Sequence, residues 1–264
     1  MAESKAIAIQ DFSYAYEGSR IIPVLKNIDL EVEHGEFVGI VGRMGAGKTT
    51  LSLAMNGIIP HYMGGYLRGT ILVDGMDTRV YTPSDLALRT VGMVFQDPEA
   101  QFVRTTVLEE VAFGLENLGI PREEIIPRVE KALQQVGLWH LPKIMERSPF
   151  ELSGGQKQRL SIACALVLKP KILILDEPDS NIDPVGVNEV FSLLAELKKN
   201  GLTTVVASHR VERLAMYADT IVVLNKGKIV MRGTPAEVFS EVERLMSIGE
   251  RAPEVTEAAH LVEK

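Results

Sequence analysis

The stretch Val38-Gly39-Ile40-Val41-Gly42-Arg43-Met44-Gly45-Ala46-Gly47-Lys48-Thr49 decides how the rest of the chain is read. A short apolar run feeds a glycine-rich turn that fits the pattern G-x-x-x-x-G-K-[ST]. Thr49 to Asn56 reads as the helix that follows, ending near Gly57. Strand, turn and helix in that order let backbone N–H groups wrap a phosphate at a helix start. Lys48 then reaches the β- and γ-phosphates, and the Thr49 hydroxyl is placed to ligate Mg2+. The candidate nucleotide-binding set is this loop, Gly42 to Thr49, with Thr50 behind it.

Two further segments carry chemistry. Leu173-Ile174-Leu175-Asp176-Glu177 is an apolar strand ending in two acids. Asp176 falls where it can approach the Mg2+, and Glu177 where it can polarise an attacking water. Leu152-Ser153-Gly154-Gly155-Gln156 is a second glycine turn that opens a helix. On capping grounds alone it is a good helix N-cap. One nucleotide needs one phosphate cradle. If both turns face phosphate, the second serves a nucleotide held by another copy of the chain, which implies an ATPase that works as a pair.

Composition narrows the class. The chain has 264 residues, a net charge of −7 and one cysteine, Cys164. Acidity argues against a nucleic-acid partner, because phosphate backbones demand a basic surface. A lone cysteine forms no internal disulfide, which suits a cytoplasmic compartment. The opening Met1-Ala2-Glu3-Ser4-Lys5 lacks a charged-then-apolar leader pattern. No apolar run reaches the ~20 residues that span a bilayer. Ile172–Leu175 and Thr203–Ala207 are apolar without alternation, as in parallel strands covered on both faces. Val91 to Phe95 is a further strand. Asp74-Gly75 after Ile71-Leu72-Val73 signals a hairpin or turn, and Asn225-Lys226-Gly227-Lys228 joins Ile221–Leu224 to Ile229-Val230 as a hairpin. Val107–Leu118, Ile125–Val136 and Lys157–Leu168 have helical spacing instead. The chain is therefore expected to be α/β over 1–240, with residues 98–168 as an inserted helical subdomain and 241–264 as a charged helical tail.

Gly42–Thr49, Leu152–Gln156 and Asp176–Glu177, in this order, resemble the nucleotide-binding subunit of an ABC transporter, whose signature is Leu-Ser-Gly-Gly-Gln. The resemblance covers about residues 6–238. It implies the P-loop NTPase ABC ATPase fold: a RecA-like mixed sheet domain, an inserted helical subdomain and an N-terminal antiparallel β region. It also implies a head-to-tail dimer, in which ATP lies between the phosphate loop of one protomer and Ser153, Gly154, Gly155 and Gln156 of the other. By the same resemblance Tyr16 stacks on adenine, with Tyr14 as the alternative. Gln96 senses Mg2+ and the transport partner, which makes Thr49, Gln96 and Asp176 the metal set. Asp183, in Ser180-Asn181-Ile182-Asp183, belongs to the loop that crosses the dimer interface; Asn181 and Ile182 depart from the usual Ala-Leu. His209 contacts the γ-phosphate, completing a catalytic set of Glu177, His209 and Gln96.

Phe95-Gln96-Asp97-Pro98, followed by Gln101-Phe102, is similar to the energy-coupling-factor (ECF) ATPases, which often carry Asn where Asp97 stands. Glu109-Glu110-Val111-Ala112-Phe113-Gly114, Asn56-Gly57-Ile58-Ile59-Pro60 and Arg232-Gly233-Thr234-Pro235 share that likeness. It implies a vitamin or transition-metal importer. The partners implied are a second ATPase (identical or related), a transmembrane scaffold (T component) and a substrate-binding membrane protein (S component), with the chain peripheral on the cytoplasmic face. Another ABC importer is the alternative. A soluble ABC protein of repair or translation fits less well, since the chain has neither a long coiled-coil or zinc module nor a second ATPase domain. Phe102 and Val103 are expected as an exposed apolar pair on a segment that moves with Gln96.

Overall fold

In the computed structural model, residues 5–18, 22–180 and 182–262 are described. Asn181 of the interface loop lies outside them. The chain opens with β1 (Ile7–Ala15), β2 (Leu25–Val32) and β3 (Phe37–Val41), then α1 (Lys48–Met55) and α2 (Ile58–His61). The hairpin β4 (Tyr66–Val73) and β5 (Met76–Asp77) is followed by α3 (Pro83–Arg89) and β6 (Val91–Val94). Between β6 and the next strand the described chain is helical: α4 (Val107–Asn117), α5 (Arg122–Gln135) and α6 (Gly154–Leu166), with short 3-10 turns. Then come β7 (Ile172–Asp176), α7 (Pro184–Lys199), β8 (Thr203–Ala207), α8 (Val211–Tyr217), β9 (Thr220–Asn225), β10 (Lys228–Gly233), α9 (Pro235–Ser240), α10 (Val242–Ser247) and α11 (Glu254–Val262).

The strands form two sheets. An antiparallel four-stranded sheet runs β2-β1-β4-β5, and a six-stranded sheet runs β10-β9-β3-β8-β7-β6. In the larger sheet every pair is parallel except β9–β10. Both hairpin expectations hold. Asp74 and Gly75, and Lys226 and Gly227, have positive φ at successive residues, as a tight turn matched to strand twist requires.

The non-alternating apolar runs have a simple cause. In β3, Val38 and Ile40 enter the core shared with the antiparallel sheet and α1, while Phe37 and Val41 face the helical side. In β7, Ile172 and Ile174 take the first side, and Leu173 and Leu175 the second. Both faces are covered, so both sets must be apolar. At ~25 cal/mol per Å2, burying each such side chain contributes about 1.5–3 kcal/mol before entropy is charged.

The parallel arrangement positions the site. Ile40, Ala207 and Asp176 lie in one register row across β3, β8 and β7, and Val94 of β6 pairs with Leu175. The carboxyl ends of β3, β6, β7 and β8 therefore emerge on one edge of the sheet, where ligands of open α/β sheets bind.

One expectation is corrected. Phe102 is not exposed: it is 8% accessible and packs in the helical-side core, edge-on to Phe150 with ring centroids 6.2 Å apart. It ends a 3-10 turn that points its side chain inward. The next backbone N–H groups, of Val103 and Arg104, donate to buried Glu110 at 2.9 and 2.7 Å. Val103 is exposed as expected, at 63%.

Candidate functional site

A cavity of about 590 Å3 opens at the carboxyl edge of the large sheet. It is lined by Arg43, Met44, Gly45, Gly47, Lys48, Thr49 and Thr50 from the loop after β3, and by Gln96, Glu177 and His209 from the ends of β6, β7 and β8. Val24 completes it. Gly42 and Ala46 lie buried beneath the loop.

The loop geometry follows from its glycines. Gly45 and Gly47 have φ of +79° and +110°, a left-handed region costly for residues with a Cβ. Gly47 is the N-cap of α1, and no side chain caps that helix. The N–H groups of its first turn are thus left for a ligand, and the helix dipole adds positive potential. Lys48 is 6% accessible, and its Nζ donates to the Gly42 carbonyl at 2.6 Å and lies 3.2 Å from Glu177 Oε1. The ring Nδ1 of His209 donates to Glu177 Oε2. Lys48, Glu177 and His209 thus converge on one point.

Glu177 has φ of +50°, unusual for a residue with a long side chain. Its N–H donates to the Ala207 carbonyl at 2.7 Å, which fixes the turn and aims the carboxylate into the cavity. Beneath it, Asp176 is 3% accessible and lies beside the Thr49 hydroxyl. Burial, reinforced by the neighbouring Glu177 charge, pushes the Asp176 carboxyl above its ordinary value. Its Oδ1 has no hydrogen-bond partner among the described residues. A buried, unpartnered carboxylate oxygen beside a hydroxyl is a donor set that fits a hard divalent cation such as Mg2+. Positive-φ glycines, a buried lysine and an uncapped helix start fit a polyphosphate.

Of the candidate tyrosines, Tyr14 is 1% accessible and its hydroxyl donates to the Gly64 carbonyl at 2.9 Å, so its ring is closed to a base. Tyr16 is half-buried, lies edge-on to Tyr14, and shares a 3.0 Å hydrogen bond with Thr50 Oγ1 at the cavity wall.

The other glycine turn is elsewhere. Ser153, Gly154, Gly155 and Gln156 do not line the cavity. Ser153 caps α6 in a reciprocal box: its Oγ accepts the Gln156 N–H, and Gln156 Oε1 accepts the Ser153 N–H at 3.0 Å. Asp183 caps α7 by accepting the Gly186 N–H at 2.8 Å. The two helix starts touch backbone to backbone, since a Cβ on Gly155 would lie 3.1 Å from the Gly186 Cα.

Sequence reasoning missed Asp179 and Ser208. Asp179 is fully buried, accepts the Ser208 hydroxyl at 2.7 Å, and lies 3.7 Å from Arg210. Burial pushes its carboxyl up. The pair joins the loop carrying Glu177 to the loop carrying His209, and the only sequence signal was a third acid after Asp176-Glu177. Val24 gave no signal at all.

Comparison with known proteins agrees with this geometry. The family model described as "ABC transporter" matches residues 25–180. The energy-coupling factor transporter ATP-binding protein EcfA1 of Caldanaerobacter subterraneus subsp. tengcongensis is 44% identical over 261 residues, 98% of this chain and 91% of that protein. The structure of cbiO1 from Clostridium perfringens, part of the ABC transporter complex cbiONQ, superposes with a TM-score of 0.80 at 34% identity, covering 99% of this chain and 100% of that one. A dimeric, post-hydrolysis structure of the ATP-binding cassette MJ0796 with ADP and Pi superposes with a TM-score of 0.74 at 26% identity, covering 86% and 98%. With the phosphate loop, the acidic strand end and the histidine gathered in one cavity, this chain belongs to the ABC transporter family and is one of its ATP-hydrolysing cassettes.

Proposed function

We propose that this chain is the ATPase of an ECF-type importer for a vitamin or transition metal, and that it works as a pair. The observation that carries the paired arrangement is the separation of the two glycine turns. The phosphate loop lines the cavity, and the signature turn does not. A site completed by a second chain uses both. Met44 at the cavity mouth is fully exposed, an apolar side chain suited to being covered by a partner. The dimeric cassette of similar fold supports the same reading.

Within each site, Lys48 and the N–H groups of residues 43–50 bind the phosphates, and Tyr16 takes the adenine. Thr49, Asp176 and Gln96 hold Mg2+, which would neutralise phosphate charge when bound. Glu177 accepts a proton from the attacking water, and His209 orients Glu177 and meets the γ-phosphate. Ser153, Gly154, Gly155 and Gln156, with Asp183, serve the partner's nucleotide.

The importer reading rests on the likeness to EcfA1 and cbiO1 over nearly the whole chain. No helix among the described residues is long and apolar enough to cross a membrane. The chain then sits peripherally on the cytoplasmic face, held by a transmembrane scaffold that works with a substrate-binding membrane protein. Affinity purification from detergent-solubilised membranes tests this. A co-purifying transmembrane scaffold, with transport lost when the chain is deleted, is the expected result. Co-purification with ribosomes or DNA would overturn it.

A further inference from the structure

The C-terminal segment reaches the nucleotide end of the sheet and has no part in the roles assigned above. At the end of α10 the Gly249 N–H donates to Met246 O and the Glu250 N–H to Leu245 O, which turns the chain back over the helix. Beyond it, Ala252 is buried, its N–H donates to Glu257, and Glu257 pairs with Arg251 through both carboxylate oxygens. Residues 249–252 are therefore fixed at both ends.

This fixed segment lies on the phosphate loop. Gly249 has φ of +78°, a left-handed conformation that favours glycine, and it lies against the Arg43 side chain: a Cβ there would fall 2.6 Å from Nη1. The Glu250 carboxylate lies within electrostatic range of Lys48, Arg43 and His209, and it shares a small cavity with His209. A cavity of about 150 Å3 separates His209, Val211 and Glu212 from residues 249–252. Glu250 Oε1 is buried without a hydrogen-bond partner among the described residues. A partly desolvated negative charge thus faces the same cations that the γ-phosphate needs.

We infer that Glu250 is a specificity-determining residue of the nucleotide site: its charge opposes the γ-phosphate, so it narrows the preference for ATP over ADP. The inference rests on the proposal that the γ-phosphate lies between Lys48 and His209. ADP, which lacks that phosphate, leaves the attraction of Glu250 to Arg43, Lys48 and His209 in place. ATP works against it, and the C-terminal segment therefore feels which nucleotide is bound.

Isothermal titration of the full chain with ADP and with a non-hydrolysable ATP analogue tests this, for wild type, Glu250→Gln and Glu250→Ala. Glutamine keeps shape and an acceptor oxygen but removes the charge. Both variants should raise affinity for the ATP analogue about three- to tenfold, the scale of a partly screened charge pair. ADP affinity should change less than about twofold, since the like charge at issue is absent. An equal shift for both nucleotides, or a change in Glu250→Ala alone, would show that Glu250 only shapes the surrounding packing and would overturn the inference. Melting curves on the same samples identify a folding defect. Wild-type binding of both nucleotides, weakened in Lys48→Ala, reports the site reading separately. If wild type binds neither nucleotide, that reading fails and the inference falls with it.

Discussion

The two glycine turns start helices in opposite ways. α1 begins at a left-handed glycine with no side-chain cap, and its free N–H groups face a cavity. α6 begins at Ser153 in extended conformation, and a reciprocal box with Gln156 satisfies the Ser153 and Gln156 N–H groups. The difference teaches what each turn is for. A helix end without its own cap needs a ligand, and the site around α1 supplies the lysine and hydroxyls to hold one. A self-capped end can stand in water until a ligand is brought to it. The first turn suits a resident nucleotide, and the second a nucleotide carried by a partner.

The sharpest test of the resident site is Glu177→Gln. An amide accepts no proton from water, so hydrolysis should fall about 10²- to 10⁴-fold. ATP binding should persist or tighten, because a charge paired with Lys48 at 3.2 Å is removed. Size-exclusion chromatography with Mg-ATP should then show a stable dimer. Hydrolysis at the wild-type rate would exclude Glu177 as the base.

Lys48→Ala removes a buried charge from the resident site. Nucleotide affinity should drop about ten- to a hundredfold, as for losing charged hydrogen bonds worth about 1.5–3 kcal/mol. Titration with a non-hydrolysable analogue measures it, and unchanged affinity would take Lys48 out of the site.

Ser153→Arg probes the second turn. Single-chain ATP binding should be unaffected while hydrolysis is lost, because Ser153 is exposed and does not line its own chain's cavity. A mixed dimer of one Ser153→Arg chain and one Lys48→Ala chain refines the test. Head-to-tail pairing puts both lesions in the same site and leaves the other able to bind ATP. Equal damage to both sites would refute the trans arrangement.

Ser153→Ala gives the smallest effect. Losing the cap should cost about 0.5–2 kcal/mol, read as a fall of a few degrees in the melting temperature. The Lys48 loop has no such cap to lose. A melting temperature equal to wild type would mean that the box adds nothing to the stability of α6.

Much of this was legible from the residues. The phosphate loop is contiguous, so its chemistry and its strand–turn–helix context are read together. β3, β7 and β8 were visible as unbroken apolar runs, and both hairpins as glycine turns. Other features were not legible. Phe102 was expected at the surface because an apolar residue in a polar loop has no periodicity to place it; the 3-10 turn before it directs it into the core. Tyr14 and Tyr16 are chemically alike, and only burial separates them. The Asp179–Ser208 bond joins residues whose spacing follows no motif.

The sequence by itself determined which residues carry chemistry, because a phosphate cradle and an acidic strand end are local and need only their near neighbours. The tertiary structure alone decided which of them meet. Parallel register brings the ends of β3, β6, β7 and β8 to one edge, the left-handed turn at Glu177 aims its carboxylate inward, and packing of the C-terminal segment sets Gly249 against Arg43. These are contacts between segments far apart in the chain, settled by the burial of both sheet faces and not by any local pattern.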